Sequence, residues 1–499
     1  MLKKAIIIGS GFSGLSAATF LAKYGWEATI IEKHNSPGGR ARLLKENGFR
    51  FDMGPSWYWM PDVFERYFNC FGKKRSDYYS LKRLDPSYRI FWKDGEMTIP
   101  ADYTEFKKLF ENIEHGSGIK LDKYLEQAEF KYRIGINKLV HKPGQSWSEF
   151  LDWDLIKGIF RLHVFSSIKK EVQKSFNNPK LRQLLEFPVL FLGALPKDIP
   201  ALYSLMNFAA IKGGTWYPEN GMFGVVEAMY RVAGELGVQF QFNENVTAIN
   251  TKANHATGIT SETVKNDKKI TKYYNTDVVI ATADYHFVEM QLLPPNLRSY
   301  SMSYWDKRVM APGCLLYYIG LKKKLSNITH HSLFFDVDFE KHGDEIYVSK
   351  EWPVEPLFYV STTSVSDNNV CPDGCENLFF LIPIAAGLKG DNEILRNEYF
   401  NKIIRRFEKS IGEPVVDNII YKKSFGPEDF SNEYNAYKGN AYGLANTLLQ
   451  TAIFKPSCRS KKVKNLFYAG QLTIPGPGVP PSLISGEVVA KEAVKFYGP

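Results

Sequence analysis

The stretch Ala5-Ile6-Ile7-Ile8-Gly9-Ser10-Gly11-Phe12-Ser13-Gly14 decides the architecture. Its short apolar run suits a strand buried on both faces, and it leads directly into G-x-G-x-x-G. Leu15, Ala18, Leu21 and Ala22 then recur at helical spacing up to Gly25, and Ala28-Thr29-Ile30-Ile31 reads as a second strand ending on Glu32. Gly9 allows the tight turn, Gly11 lets a pyrophosphate approach the backbone, and Gly14 lets helix and strand pack closely. The helix N-terminus offers unsatisfied N–H groups to phosphates. Glu32 stands eighteen residues beyond Gly14, where an acid accepts hydrogen bonds from an adenosine ribose and disfavours a 2′-phosphate. Ser10, inside the loop, and Lys33, beside Glu32, belong to the same candidate site. Strand, turn, helix, strand and terminal acid together predict a dinucleotide-binding α/β unit.

Two further segments extend it. Ser36-Pro37-Gly38-Gly39-Arg40-Ala41 pairs glycines with a cation that can fork onto anionic oxygens, although the same residues also fit a turn carrying a solvated arginine. Phe51-Asp52-Met53-Gly54-Pro55-Ser56 follows shortly after. At the far end a strand reaches Ala469, glycines permit close approach of backbone to a flat ring, and Pro480 and Pro481 precede an apolar helix running to about Phe496.

Composition narrows the class. The chain has 499 residues with 63 Lys plus Arg against 54 Asp plus Glu, a net charge of +9 spread along its length, which does not suggest a nucleic-acid binder. Its 9 Trp, 28 Tyr and 35 Phe supply cores and apolar cavities alike and exclude a disordered or coiled-coil chain. Five scattered cysteines fit a reducing compartment. Cys371 and Cys375 lack the further ligands a tetrahedral metal site needs, so no metal is expected. The most apolar stretches, 187–195 and 378–388, are broken by proline or glycine well short of a membrane span.

The motifs together resemble a known group. The strand, G-x-G-x-x-G, Glu32, Gly-Gly-Arg and Gly-Pro-Ser series is similar to the N-terminus of the FAD-dependent amine-oxidase-like flavoproteins, which include the carotenoid desaturases. Gly213 to Met222 resembles the segment that, in bacterial-type phytoene desaturases, returns the chain to the flavin domain. A helix from about Phe223 to Leu236 and a strand from Val238 to Ile249 follow, and Val246 matches the position whose backbone lies by the adenine. Ala281-Thr282-Ala283-Asp284 resembles the family's Ala-x-Ala-Asp. Asn465 to Val479, with Gly486 beyond it, resembles the phytoene dehydrogenase signature, while Gln471, Leu472, Ile474 and Pro477 depart from it. Gly470, Gln471, Pro475, Gly476, Gly478 and Val479 thereby join the candidate cofactor contacts.

The resemblance implies an α/β fold: a discontinuous Rossmann-like FAD domain (1–75, 213–300 and 440–499), a mixed-sheet substrate domain (76–100 and 301–439) and a helical, membrane-facing region (101–212). It implies FAD as cofactor, a C40 polyene as substrate, and quinone or oxygen as electron acceptor. The expected location is cytoplasmic, peripheral at the inner face of the cell membrane. Basic and apolar residues from Ile156 to Lys174 would suit that surface, or equally a solvated domain helix. The leading expectation is desaturation of phytoene towards lycopene or neurosporene. A later carotenoid 3,4-desaturase or an isomerase is the alternative, with an amine oxidase and a prenyl-binding escort protein behind them. No Ser/His/Asp set or metal box stands out, His330-His331 is the only adjacent histidine pair, and the catalytic residue stays unassigned.

Overall fold

A computed structural model describes residues 2–150 and 166–498. Five parallel strands lie side by side in the order Leu466–Tyr468, Val278–Ala281, Lys4–Ile8, Glu27–Ile31 and Gln239–Gln241. One sheet thus draws on three distant stretches of chain. Val278–Ala281 and Leu466–Tyr468 are buried throughout, because one face of the sheet packs on helices and the other on Val246, Ile249, Ala256 and Ile259.

The first helix, Phe12–Lys23, packs against the final helix, Val479–Tyr497. Gly486 sets their closeness, because a Cβ there would run into Ser13 O and lie 2.8 Å from Ala17 N.

A seven-stranded mixed sheet lies beyond, in the order Ile419–Phe425, Gly313–Leu321, Glu376–Ile384, Phe358–Ser361, His331–Phe335, Tyr88–Trp92 and Gly95–Ile99. Only His331–Phe335 and Tyr88–Trp92 run parallel. Side chains alternate between its faces. Leu315, Tyr317, Ile319, Phe380 and Ile382 pack with Phe400, Ile403 and Phe407 of the helix Glu393–Ile411. Cys314, Leu316, Leu333, Phe335, Tyr359 and Leu381 face the other way, onto a cavity.

The run 238–249, read as one strand from sequence, is two. Gln239–Gln241 joins the parallel sheet, whereas Asn245–Lys252 opens a three-stranded antiparallel sheet with His255–Lys265 and Lys268–Asn275. The break falls at Asn243, whose φ of +56° turns the chain out of the first sheet.

Between residues 101 and 212 the described structure is mainly helical, with Tyr103–Ile113, Ser117–Ile134, Ile168–Ser175, Pro179–Glu186 and Leu205–Ile211. Among the described residues no helix is long and apolar enough to cross a membrane. Lys157 and Arg161 of the basic stretch lie outside the described residues. Lys169 pairs with Glu340 at 2.5 Å and Lys174 with Glu171 at 2.8 Å.

Candidate functional site

The glycine turn sits at the C-terminal ends of the parallel strands, where open α/β sheets bind ligands. Gly9 has φ +101°, a value that favours glycine. A Cβ on Gly14 would run into Gly9 O and lie 2.8 Å from Thr282 Oγ1, so this glycine serves packing. Nothing lies within 4 Å of a Cβ built on Gly11. Gly11 also caps the first helix without a side chain, leaving first-turn amides for an anion.

Glu32 is 5% exposed and holds the turn together. Its Oε2 accepts from Ser10 N at 2.8 Å and Ser10 Oγ at 2.7 Å, and its Oε1 accepts from His34 N at 2.9 Å. Lys33 Nζ donates to Asn432 O at 2.9 Å, and burial lowers its pKa against the pull of Glu433 and Glu32. Thr282 Oγ1 donates to Ile8 O and Gly9 O at 2.8 and 2.9 Å, bracing the same turn from the neighbouring strand.

Arg40 closes the next part of the wall. Its Nη2 reaches Asn440 O at 3.4 Å, its guanidinium lies 5.4 Å from the Tyr434 ring centre, and its buried Nε has no partner. Burial pushes its pKa down, countered by Asp284 and Tyr434, and burial likewise pushes Asp284 up, countered by Arg40. A buried, under-paired cation beside open backbone amides fits a diphosphate. The residues present therefore suit the pyrophosphate of FAD. Gly54 packs on Arg40 O, which a Cβ would approach to 2.7 Å.

At the C-terminal motif, Gly470 N donates to Ser485 Oγ at 2.9 Å and Gln471 Nε2 donates to Asn440 Oδ1 at 3.0 Å. The final helix begins behind Gly478 with no side-chain cap. Its first turn leaves the positive end of the helix dipole facing the cavity that Gly478 and Val479 line.

One continuous cavity of about 470 Å³ links these parts, within the usual range of ligand pockets. Gly9, Ser10, Gly11, Glu32, Lys33, Gly38, Gly39, Arg40, Gly54, Pro55, Ser56, Val246, Gly470, Gln471, Gly478 and Val479 line it. Gly14, Pro475 and Gly476 stand behind the wall; a Cβ on Gly476 would lie 2.9 Å from Asn446 Oδ1 and 3.1 Å from Lys455 Nζ. Beyond the cofactor motifs the cavity opens into a chamber walled by Phe187, Leu190, Leu192, Leu195, Met206, Leu333, Phe335 and Leu381. Among the described residues no cluster of three or more metal-ligating side chains occurs.

Several wall residues escaped the sequence reading. Glu433, Tyr434 and Asn435 line the cavity from a segment about 400 residues beyond the loop they face. Arg42 Nη2 donates to Glu433 Oε2 at 2.9 Å, tying the two together. Trp57 and Tyr359 line it as well. Only Trp57 had a local signal, its position directly after Gly54-Pro55-Ser56.

The chain matches the family model for flavin containing amine oxidoreductase over residues 12–494. It is 39% identical over 491 residues, 98% of this chain and 97% of the relative, to a carotenoid 3,4-desaturase of Haloarcula japonica. It is 28% identical over 503 residues, 99% of this chain and 94% of the relative, to a zeta-carotene-forming phytoene desaturase of Myxococcus xanthus. An oxidoreductase structure from Methanosarcina mazei superposes with a TM-score of 0.61 at 14% identity, covering 98% of this chain and 100% of that one, a likeness of fold alone. With its glycine turn, buried Arg40 and C-terminal motif meeting in one cavity, the chain belongs to the flavin containing amine oxidoreductase family and is an FAD-dependent oxidoreductase.

Proposed function

We propose that this protein desaturates a carotenoid, converting a CH–CH unit of a long polyene into C=C. The observation that carries this reading is the continuity of the cavity, which runs from the cofactor motifs into an apolar chamber. Bound FAD supplies the two-electron acceptor for such a reaction. The chain's own part is to orient the polyene, exclude water and take the proton that leaves the neighbouring carbon.

The bond favoured is 3,4. The 39% identity to a 3,4-desaturase, spread over nearly the whole chain, supports this reading over the 28% shared with a phytoene desaturase. Phytoene desaturation is the second reading, supported by the C-terminal segment 465–479. Purified protein is incubated with phytoene, lycopene or a hydroxylated carotenoid in liposomes under quinone or oxygen, and the products are identified. A new conjugated bond at the 3,4 position is the expected result. Conversion of phytoene alone selects the second reading, and no oxidised polyene from any of them refutes both.

The same proposal assigns cofactor binding to 1–75, 213–300 and 440–499, and polyene binding to 76–100 and 301–439, with 101–212 facing a membrane. The partition of strands between the parallel and mixed sheets supports the first two assignments. The cofactor contacts proposed are those named from the sequence, with Gly14, Pro475 and Gly476 acting through packing. Attachment to the inner face of the cell membrane fits a water-insoluble substrate. Leu448, Leu449 and Phe454 expose apolar side chains on one loop, which supports that placement.

A further inference from the structure

Besides Arg40, a second buried basic side chain packs on the cofactor wall, and it has nothing to bond to. Lys455 is 5% exposed, and its Nζ has no hydrogen-bond partner. Lys131 is also buried but donates to Ala201 O at 3.0 Å and to Ser204 Oγ at 3.2 Å. No counter-ion faces Lys455 either. Burial is the one influence on its pKa, which falls to about 7, and among the described residues no charged or titratable side chain acts on it. A bare buried amine is costly to keep unless a charge arrives to meet it.

The surroundings of the amine point to the source of that charge. Lys455 Nζ and Asn446 Oδ1, a second buried polar atom without a partner, converge on Gly476 of the C-terminal motif, at 3.1 and 2.9 Å from where its Cβ would stand. Pro477 and Gly478, next along the chain, line the cavity. Thr473, also on the cavity wall, donates through Oγ1 to Pro456 O at 2.6 Å. Asn446 N donates at 3.1 Å to the carbonyl of Leu192, which walls the chamber. The amine is thereby held behind the stretch of wall where the cofactor motif meets the chamber.

We propose that Lys455 supplies the positive charge that offsets the negative charge gained by bound flavin when it accepts hydride. Lys455 acts across the loop at Gly476 and touches no substrate, which makes it a positioning residue. The inference rests on the cofactor placement proposed above and not on which polyene is oxidised. One C–H bond of the substrate breaks, and its hydrogen and electron pair pass together to the flavin, adding one unit of negative charge there. Lys455 takes one proton from solvent onto its nitrogen lone pair, so no net charge is left buried, and the proton of the neighbouring carbon is lost separately. Opposite charges attract more strongly inside a protein than in water, whereas the uncharged oxidised ring gives the amine nothing to pair with. Asn446 Oδ1 is the nearby acceptor for the added N–H.

The test needs bound FAD and a chemical reductant but no polyene. The two-electron potential of the holoprotein is measured against a dye of known potential, on both sides of pH 7. Lys455→Met is similar in length and needs no partner. It makes reduction about tenfold less favourable, about 30 mV for a two-electron couple, while the Kd for oxidised FAD stays within about twofold. Lys455→Arg keeps the charge and returns the equilibrium to within about threefold of the unaltered protein. Above pH 7 the unaltered protein takes up one proton more on reduction than Lys455→Met does, read from the slope of potential against pH. A potential unmoved in Lys455→Met, a fall of the same size in Lys455→Arg, or equal slopes overturns the inference and leaves the desaturase reading standing. Should Lys455→Met fail to fold, the slope of the unaltered protein decides: two protons per two electrons above pH 7 support the inference, and one overturns it. Unaltered protein that binds no FAD sinks the cofactor placement as well.

Discussion

Ser10 and Glu32 are joined twice, through the backbone N–H and the hydroxyl of Ser10, onto the same carboxylate oxygen at 2.8 and 2.7 Å. The acid at the end of the second strand therefore also fixes the shape of the glycine turn. Glu32→Ala removes both bonds and the ribose acceptor together. The expected outcome is a rise of about 10- to 100-fold in the Kd for FAD, at about 1.5–3 kcal/mol for charge-assisted bonds. Flavin fluorescence titration of apoprotein measures it, and unchanged affinity refutes the assignment.

Arg40 gives a prediction in two parts. Its charge counters the burial of Asp284, so Arg40→Met leaves that buried carboxylate without its cation and lowers the stability of the apoprotein. The same change weakens FAD binding by about 10-fold or more, since the diphosphate loses its cation. Thermal unfolding with and without FAD reads both effects. A destabilised apoprotein with unaltered FAD affinity would show that Arg40 is purely structural.

Gly486 tests the seam between the two ends of the chain. Gly486→Ala drives a methyl group into Ser13 O, and the expected cost is about 1–3 kcal/mol. Chemical denaturation of apoprotein detects it, with the midpoint falling.

The chamber is tested by filling it. Leu333 lies on its floor, and Leu333→Trp narrows it without touching the cofactor motifs. Flavin content stays as it was, while polyene turnover falls by about 10²-fold, the scale on which misplacement of about 1 Å acts. Loss of flavin instead would mean that the chamber belongs to the cofactor.

Acid should loosen the final helix. Burial opposes ionisation of Glu487, yet hydrogen bonds and charge from Arg66 and Lys491 outweigh it and hold its carboxyl down to about 2, against an ordinary 4.5. Arg66 Nη1 and Nη2 each donate to Glu487 at 2.6 Å, and His141 Nδ1 lies 3.7 Å away. A depressed carboxylate pKa adds stability above 4.5 that is lost as pH falls towards about 2. Glu487→Gln therefore flattens the acid limb of a stability–pH curve in that window, and an unaltered limb argues against the role.

The two halves of the site differed in how far local pattern could reach. Gly9, Gly11, Gly14 and Glu32 were legible because a strand, a turn and a helix are dictated by neighbours within a few residues, and their spacing mirrors the diphosphate they suit. The segment 465–479 at the other end was singled out by resemblance, and within it Gly476 faces Asn446 and Lys455 instead of the cavity. The run 238–249 was misread because its residues suit a strand throughout; only pairing with two different sheets, and the turn at Asn243, divides it.

What the sequence by itself determined is the nucleotide-binding unit and the apolar character of the regions around it, both written in short-range periodicity. Tertiary structure alone decided that segments hundreds of residues apart share one cavity, that Arg40 is left with an unpaired nitrogen, and that Ser56, Tyr359 and His331 are joined by hydrogen bonds. The reason is physical: strand register and sheet order bring those side chains together, and neither is encoded in the spacing of residues along one element.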